Sequence, residues 1–163
     1  DPILSEWFSD HLNLECSLVS MTNVSHRVKT LAEAPFETKV SFADGYPYLI
    51  IGEQSLATLN EKLDTPLLKD RFRANIIVSS SIAHEEDEWP IHAIGSATMK
   101  VIKPCGRCSV VTIDQQAGEV GKEPLKTLAS YRKKDNKIFF GANAIALKEG
   151  VVSVGDPISF LNN

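Results

Sequence analysis

Lys103-Pro104-Cys105-Gly106-Arg107-Cys108, running straight into Ser109-Val110-Val111-Thr112-Ile113-Asp114, decides how the rest of the chain is read. Pro104 and Gly106 make the approach a turn, and the β-branched residues after Cys108 predict a strand. Cys108 is therefore expected where a loop enters a sheet. Upstream, Ala97, Met99 and Val101 alternate with Thr98 and Lys100, which predicts the long strand that delivers the chain to the two cysteines. A thiolate is a soft metal ligand and a nucleophile, and an adjacent guanidinium favours the ionised form by Coulomb attraction. Arg107 is the candidate for that part.

Other chemistries of a C-x-x-C pair can be weighed by counting. Structural zinc needs four ligands, but only Cys16 remains, and His11, His26, His84 and His92 are scattered. A thioredoxin-like dithiol needs a helix starting at the pair, where the predicted element is a strand. Two half-buried cysteines in a turn, without chemistry, is the plain alternative, and the pair alone does not exclude it.

Composition narrows the class. The 163 residues suffice for one domain with a proper core, and 43% hydrophobic with 23% charged residues is ordinary for a globular protein. A net charge of −4 gives no reason to expect nucleic acid as a partner. Three cysteines make no disulfide framework, so a reducing compartment, the cytoplasm, is expected. With no apolar run of spanning length and no signal peptide, no membrane association is expected. Asp1 is not an initiator Met and leads at once into a structured element, so a piece of a longer protein is expected.

Working outward, Asp1-Pro2 opens a helix on whose face Ile3, Leu4, Trp7, Phe8 and Leu12 recur, and residues 16–21 read as a strand with Cys16 a small core residue. Residues 22–39, broken by His26-Arg27 and Pro35, read as loop with one short strand. An aromatic, Gly-containing turn at 42–47 leads into the strand Tyr48-Leu49-Ile50-Ile51, and Leu56, Leu59 and Leu63 mark a helix over 53–63. Arg71-Phe72-Arg73, just before a strand over 76–79, can present planar donor forks to an anion, although surface solvation explains it equally well in isolation. His84-Glu85-Glu86-Asp87-Glu88 reads as wet acidic surface. After a polar turn at 114–121, a helix starts at Pro124, strands are expected at 138–141 and 151–154, and Gly155-Asp156-Pro157 closes the chain with a turn. Strands outnumber short helices and do not alternate with them, which predicts a mainly β, mostly antiparallel, barrel-like core with peripheral helices.

Six motifs in order, Ala43-Asp44-Gly45-Tyr46-Pro47, Phe72-Arg73-Ala74-Asn75-Ile76, Pro104-Cys105-Gly106-Arg107-Cys108, Glu123-Pro124-Leu125-Lys126-Thr127-Leu128, Phe140-Gly141-Ala142-Asn143 and Val154-Gly155-Asp156-Pro157, resemble the successive motifs of the MOSC domain. The branch they resemble is that of the amidoxime-reducing molybdoenzymes and their bacterial relatives, which reduce N-hydroxylated compounds. The resemblance implies a MOSC-type β-barrel-like fold over a single domain, 1–163, a fragment without the amino-terminal subdomain of full-length relatives and without the C-terminal ferredoxin-like domain that some of them carry. It implies a molybdenum cofactor, Mo-molybdopterin, whose metal takes one protein thiolate, corresponding to Cys108; Cys105 is by default a packing neighbour. Asp44, Gly45, Arg73, Asn75, Gly106 and Arg107 correspond to positions lining the cofactor. Arg73 suits an anionic group, Asn75 offers donor and acceptor, and the glycines offer backbone at close range. The partners implied are a small N-hydroxylated substrate and an electron-donor flavoprotein or iron-sulfur protein or domain. A rival reading keeps the fold and makes Cys108 a persulfide carrier for metal-sulfur assembly.

Overall fold

The structure, a computed structural model, describes residues 1–22, 24–32, 34 and 36–161. Pro35, which breaks the sequence pattern, lies outside them. The helix α1 (Pro2–Leu12) forms as expected: Asp1 caps it, its carboxylate accepting from the Ile3 amide at 3.0 Å. Its apolar stripe is not covered, however, and none of its residues is buried. Residues 16–20 form no strand. Instead the Cys16 amide donates to Ser9 Oγ at 3.0 Å, folding the segment back on α1 and leaving Cys16 half-buried rather than in the core. Two short strands, β1 (Val28–Lys29) and β2 (Thr38–Lys39), pair in the loop region.

The main sheet takes β3 (Tyr48–Gly52), β4 (Ile76–Val78), β5 (His92–Ile94), β6 (Ala97–Gly106), β8 (Lys137–Lys148) and β9 (Ile158–Phe160) in the order β4-β3-β8-β6-β5-β9, with β7 (Lys133–Lys134) hairpinned onto β8. Among the described residues only β3 and β4 run parallel; the other pairs are antiparallel. Three register shifts along β6, at 98/99, 101/103 and 104/106, bend that strand and curl the sheet into a half-barrel. Its two edges, β4 and β9, face each other across a cleft of about 850 Å³ lined by Ile76, Val78, Ile158 and Phe160.

The curled sheet is buried on both faces, which is why Leu49-Ile50-Ile51 is apolar throughout. Ile50, Val78, Trp89, Ile94, Met99 and Ala144 fill the inside. Ile51, Leu59, Phe72, Val111, Leu128 and Phe140 make a second core outside, under α2 (Glu53–Asn60) and α3 (Leu125–Ala129). Where β8 crosses β3, Gly141 holds φ +71°, and a Cβ there would stand 2.8 Å from the Ile50 carbonyl oxygen.

Three further expectations fail. Residues 109–112 form a 3-10 turn, not a strand, because Val111 and Thr112 are drawn into the outer core and Thr112 Oγ1 donates back to the Ser109 carbonyl at 2.8 Å. Packing overrides the β propensity of the run. Residues 151–154 are irregular and exposed; the last strand comes later, as β9, after the 155–157 turn, in which the Ser153 amide donates to the Asp156 carboxylate at 2.7 Å. The acidic loop is not all wet surface: Glu86 is fully buried and accepts from Ser55 Oγ at 2.8 and 2.9 Å, and Asp87 pairs with Arg132.

Candidate functional site

The β6 strand ends at Gly106, opposite Phe139 of β8, and the Arg107 amide makes one further bond to the Ile138 carbonyl at 2.7 Å. Beyond that the chain leaves the sheet, so Cys105 is half-buried at the strand end and Cys108 is exposed, capping the 109–112 turn. Both thiols are free. Cys108 thus lies just past the end of β6, where the chain leaves the sheet and starts a turn, not where a loop enters a sheet as the sequence predicts.

Arg107 occupies an unexpected position. Its Nη1 donates to Cys105 Sγ at 3.3 Å, and its Nη2 donates to the Phe72 carbonyl at 3.0 Å, while the guanidinium lies 5.5 Å over the Phe72 ring. The cation expected beside Cys108 therefore serves Cys105. It also ties the cysteine loop to the segment that carries Arg73. That tie is doubled: Arg71 Nη2 meets Asp114 Oδ2 at 2.6 Å, and Gln115 Nε2 donates to the Asp70 carbonyl at 3.1 Å. The Gln116 and Ala117 amides, and then Arg71, hold the Asp114 carboxyl below its ordinary range.

Arg73 ends the 3-10 turn Lys69–Phe72 in the left-handed region at φ 54°, with its side chain exposed; no carboxylate among the described residues pairs with it. Asn75 acts as an extra rung between β4 and β3: its amide donates to the Leu49 carbonyl at 3.0 Å and its Oδ1 accepts from the Leu49 amide at 2.8 Å. The side-chain oxygen is thereby committed to the fold, leaving the Nδ2 donor for a ligand. Asp44 and Gly45 are exposed on the loop before β3, joined to this rim through Tyr46, whose ring lies 5.0 Å from Lys103 Nζ. Arg107 thus bonds Cys105 to the turn that carries Arg73, whereas among the described residues Asn75 is bonded only to Leu49 of β3, and Asp44 and Gly45 approach β6 only through the Tyr46 ring.

Beneath the rim lies a polar group that sequence reasoning missed. Phe72 stacks on Phe140 at 4.3 Å, and Phe140 meets the edge of His84 at 5.9 Å. Burial, and then the Arg132 charge, lower the His84 pKa to about 4. Burial raises Asp87 above its usual value even though Arg132 pairs with it, and raises Tyr131 as well. The signal available was the single arginine, Arg132, placed to balance a run of acids.

An exposed thiol is a donor for a soft metal, and an exposed guanidinium suits an anionic group. One exposed sulfur stands with a free guanidinium and an amide donor, and among the described residues no three His, Cys, Asp or Glu side chains gather to hold an ion. A hard-cation or zinc cage would need those oxygens or nitrogens. A molybdenum group carrying its own sulfur ligands fits what is present.

Comparison with known proteins identifies the family. Residues 37–159 match the family model described as MOSC domain. The chain is similar to Molybdenum cofactor sulfurase of Oryza sativa subsp. japonica, 34% identical over 158 residues that cover 86% of this chain and 19% of that protein. It is similar to Mitochondrial amidoxime-reducing component 1 of Homo sapiens, 36% identical over 132 residues covering 76% of this chain and 39% of that one, and to its Mus musculus counterpart, 34% identical over 170 residues covering 96% and 50%. The chain spans half or less of the length of these curated relatives. Among solved structures, YiiM from Geobacillus stearothermophilus shares the fold at a TM-score of 0.54 and 18% identity, over 84% of this chain and 71% of that one.

Proposed function

The chain belongs to the MOSC domain family, and on that premise we propose that it is the cofactor-holding domain of a molybdenum-dependent oxidoreductase that reduces N-hydroxylated compounds. The activity is assigned to the full-length protein, in which an amino-terminal subdomain completes the pocket. Names of relatives support this reading, since several are amidoxime-reducing components. The observation that supports it is the exposed Cys108 sulfur next to Arg107, whose bond to the Phe72 carbonyl ties the cysteine loop to the turn that carries Arg73.

In this reading Cys108 is the thiolate ligand and Arg73 holds an anionic group of the cofactor. Asn75 Nδ2 donates to the pterin edge, and Gly106 keeps the approach clear of side chain. Asp44 and Gly45 would approach the group from the loop before β3. Bound there, molybdopterin would supply two-electron oxygen removal from nitrogen, in which an N–O bond is exchanged for water at the expense of two electrons and two protons. Arg107 acts through others, keeping Cys105 and the Arg73 turn in place. No helix among the described residues is long and apolar enough to cross a membrane; a cytoplasmic setting is part of the proposal.

The test is metal content. Full-length protein from cells that make molybdopterin should carry about one molybdenum per chain, lost in Cys108→Ala and retained in Cys105→Ala. Metal retained in Cys108→Ala would remove the assignment. The similarity to Molybdenum cofactor sulfurase favours a second reading, in which Cys108 carries a persulfide for transfer. That reading predicts protein without molybdenum but with a cyanolysable sulfur that disappears in Cys108→Ala.

A further inference from the structure

The surface around the cysteine loop is not evenly charged. On a chain of net charge −4, Lys133, Lys134 and Lys137 all stand exposed on the β7–β8 hairpin. Its turn residues, Asp135 and Asn136, hold φ 47° and 61°, the pair of positive values that a two-residue type I′ turn demands. The hairpin is short and its register is fixed, with Lys133 opposite Ile138 and Lys134 opposite Lys137.

This hairpin is also a wall of the candidate site. Gly106 pairs with Phe139, the Arg107 amide bonds to the Ile138 carbonyl, and a Cβ at Gly106 would lie 4.0 Å from Lys137 Cδ. Arg132 at its base is neutralised by Asp87, and Asp135 is the hairpin's one carboxylate, so the hairpin carries an excess of positive charge, with Lys137 nearest the end of β6 at Gly106. Exposed lysines on flexible stems are poor anchors for a small ligand, which forked arginines grip better. They suit a surface of opposite charge that must arrive and leave quickly. A reductase of the proposed kind needs such a visitor, because each substrate consumes two electrons from a separate protein, delivered close to the metal ligand.

We propose that the β7–β8 hairpin, with Lys133, Lys134 and Lys137, is the docking surface for an acidic electron-donor protein. The inference rests on the reductase reading and names its partner's chemistry. Transient redox contacts sit at the small end of interface sizes, below about 1,200 Å², which a hairpin and the adjoining rim can supply.

The test uses the chain as it stands, isotopically labelled and titrated with an acidic plant-type [2Fe–2S] ferredoxin at about 20 mM salt, where screening is weak. Amide shifts should change at residues 133–137 and 106–108. Affinity should fall about tenfold or more in K133E/K134E/K137E, and again at about 200 mM salt. K148E, at the far end of β8, should bind as the parent does. No binding at low salt, binding indifferent to the triple reversal, or shifts centred on α1 would overturn the proposal. So would tighter, equally reversal-sensitive binding to vesicles of anionic lipid or to duplex DNA, which would make the hairpin a general polyanion surface. Because the titration needs no metal, its outcome is separate from that of the Cys108 metal measurement.

Discussion

Arg107 combines two bonds that a lysine cannot make together. One fork reaches Cys105 Sγ, the other the Phe72 carbonyl, and the plane between them lies on the Phe72 ring. A lysine offers a point charge on a flexible stem, so Arg107→Lys should cost about 1–2 kcal/mol in urea denaturation. Amide exchange should quicken at Arg73 and Asn75 but not in α3; equal quickening in both would show general loosening instead of a lost tie. The C-G-R-C spacing makes this arginine readable as a site cation. Which sulfur it serves was not readable, because its other partner lies 35 residues away, and a contact of that range leaves no local pattern. Asn75 repeats the lesson: the residue type suggests a ligand with two polar ends, yet one end is spent bridging to Leu49.

At the scale of elements, β8 is the strand the site depends on, since it pairs with β3, β6 and β7 at once. Gly141 lets it bend across β3. Gly141→Ala would place a methyl against the Ile50 carbonyl and Ile51 Cγ1, at 2.8 and 2.7 Å, on a backbone with φ +71°. The side chain can move but the carbonyl cannot, so a loss of about 2–4 kcal/mol is expected, read from the denaturation midpoint. A shift of less than about 1 kcal/mol would mean the crossing is looser than drawn. Strands with a clear apolar run or alternation, such as β3 and β6, were legible for the same reason that they fold: burial on two faces or on one. Residues 109–112 were not, since a β-branched run fits a sheet or a packed turn, and only the position of Phe72, Leu128 and Phe140 around Val111 decides between them. The burial of Glu86 was hidden in the same way, for it needs Ser55 from α2 and the open space over Gly52, where a Cβ would meet Glu86 Oε2 at 2.8 Å.

For the whole molecule, the count of strands and the shortness of the helices were enough to read a barrel-like core, while its curl, set by register shifts in β6, was not. Two histidines are shielded on opposite faces of the curled sheet, His84 against Phe140 and Tyr131 and His92 against Trp89 and Phe160, which gives the molecule a pH dependence. His84 is lowered to about 4 by burial and by Arg132, and His92 is lowered by burial against the opposing bond to the Pro90 carbonyl. A group whose folded pKa lies below its unfolded value of 6.5 binds its proton in the unfolded chain first. Between about pH 6.5 and 4 the unfolded state therefore holds more protons, and stability must fall as the pH falls through that window. Asp87 acts with the opposite sign, because a raised carboxyl pKa favours the folded state as acid is added, but only in the carboxylate range. With the His84 ring only partly shielded from solvent, its share is on the order of 1–2 kcal/mol. Urea midpoints measured from pH 7 to pH 4.5 should therefore decline, and His84→Phe, which keeps a ring against Phe140 and Tyr131 but cannot titrate, should flatten most of that decline. An unchanged slope in the variant would assign the effect to His92 and leave His84 a packed ring without electrostatic consequence.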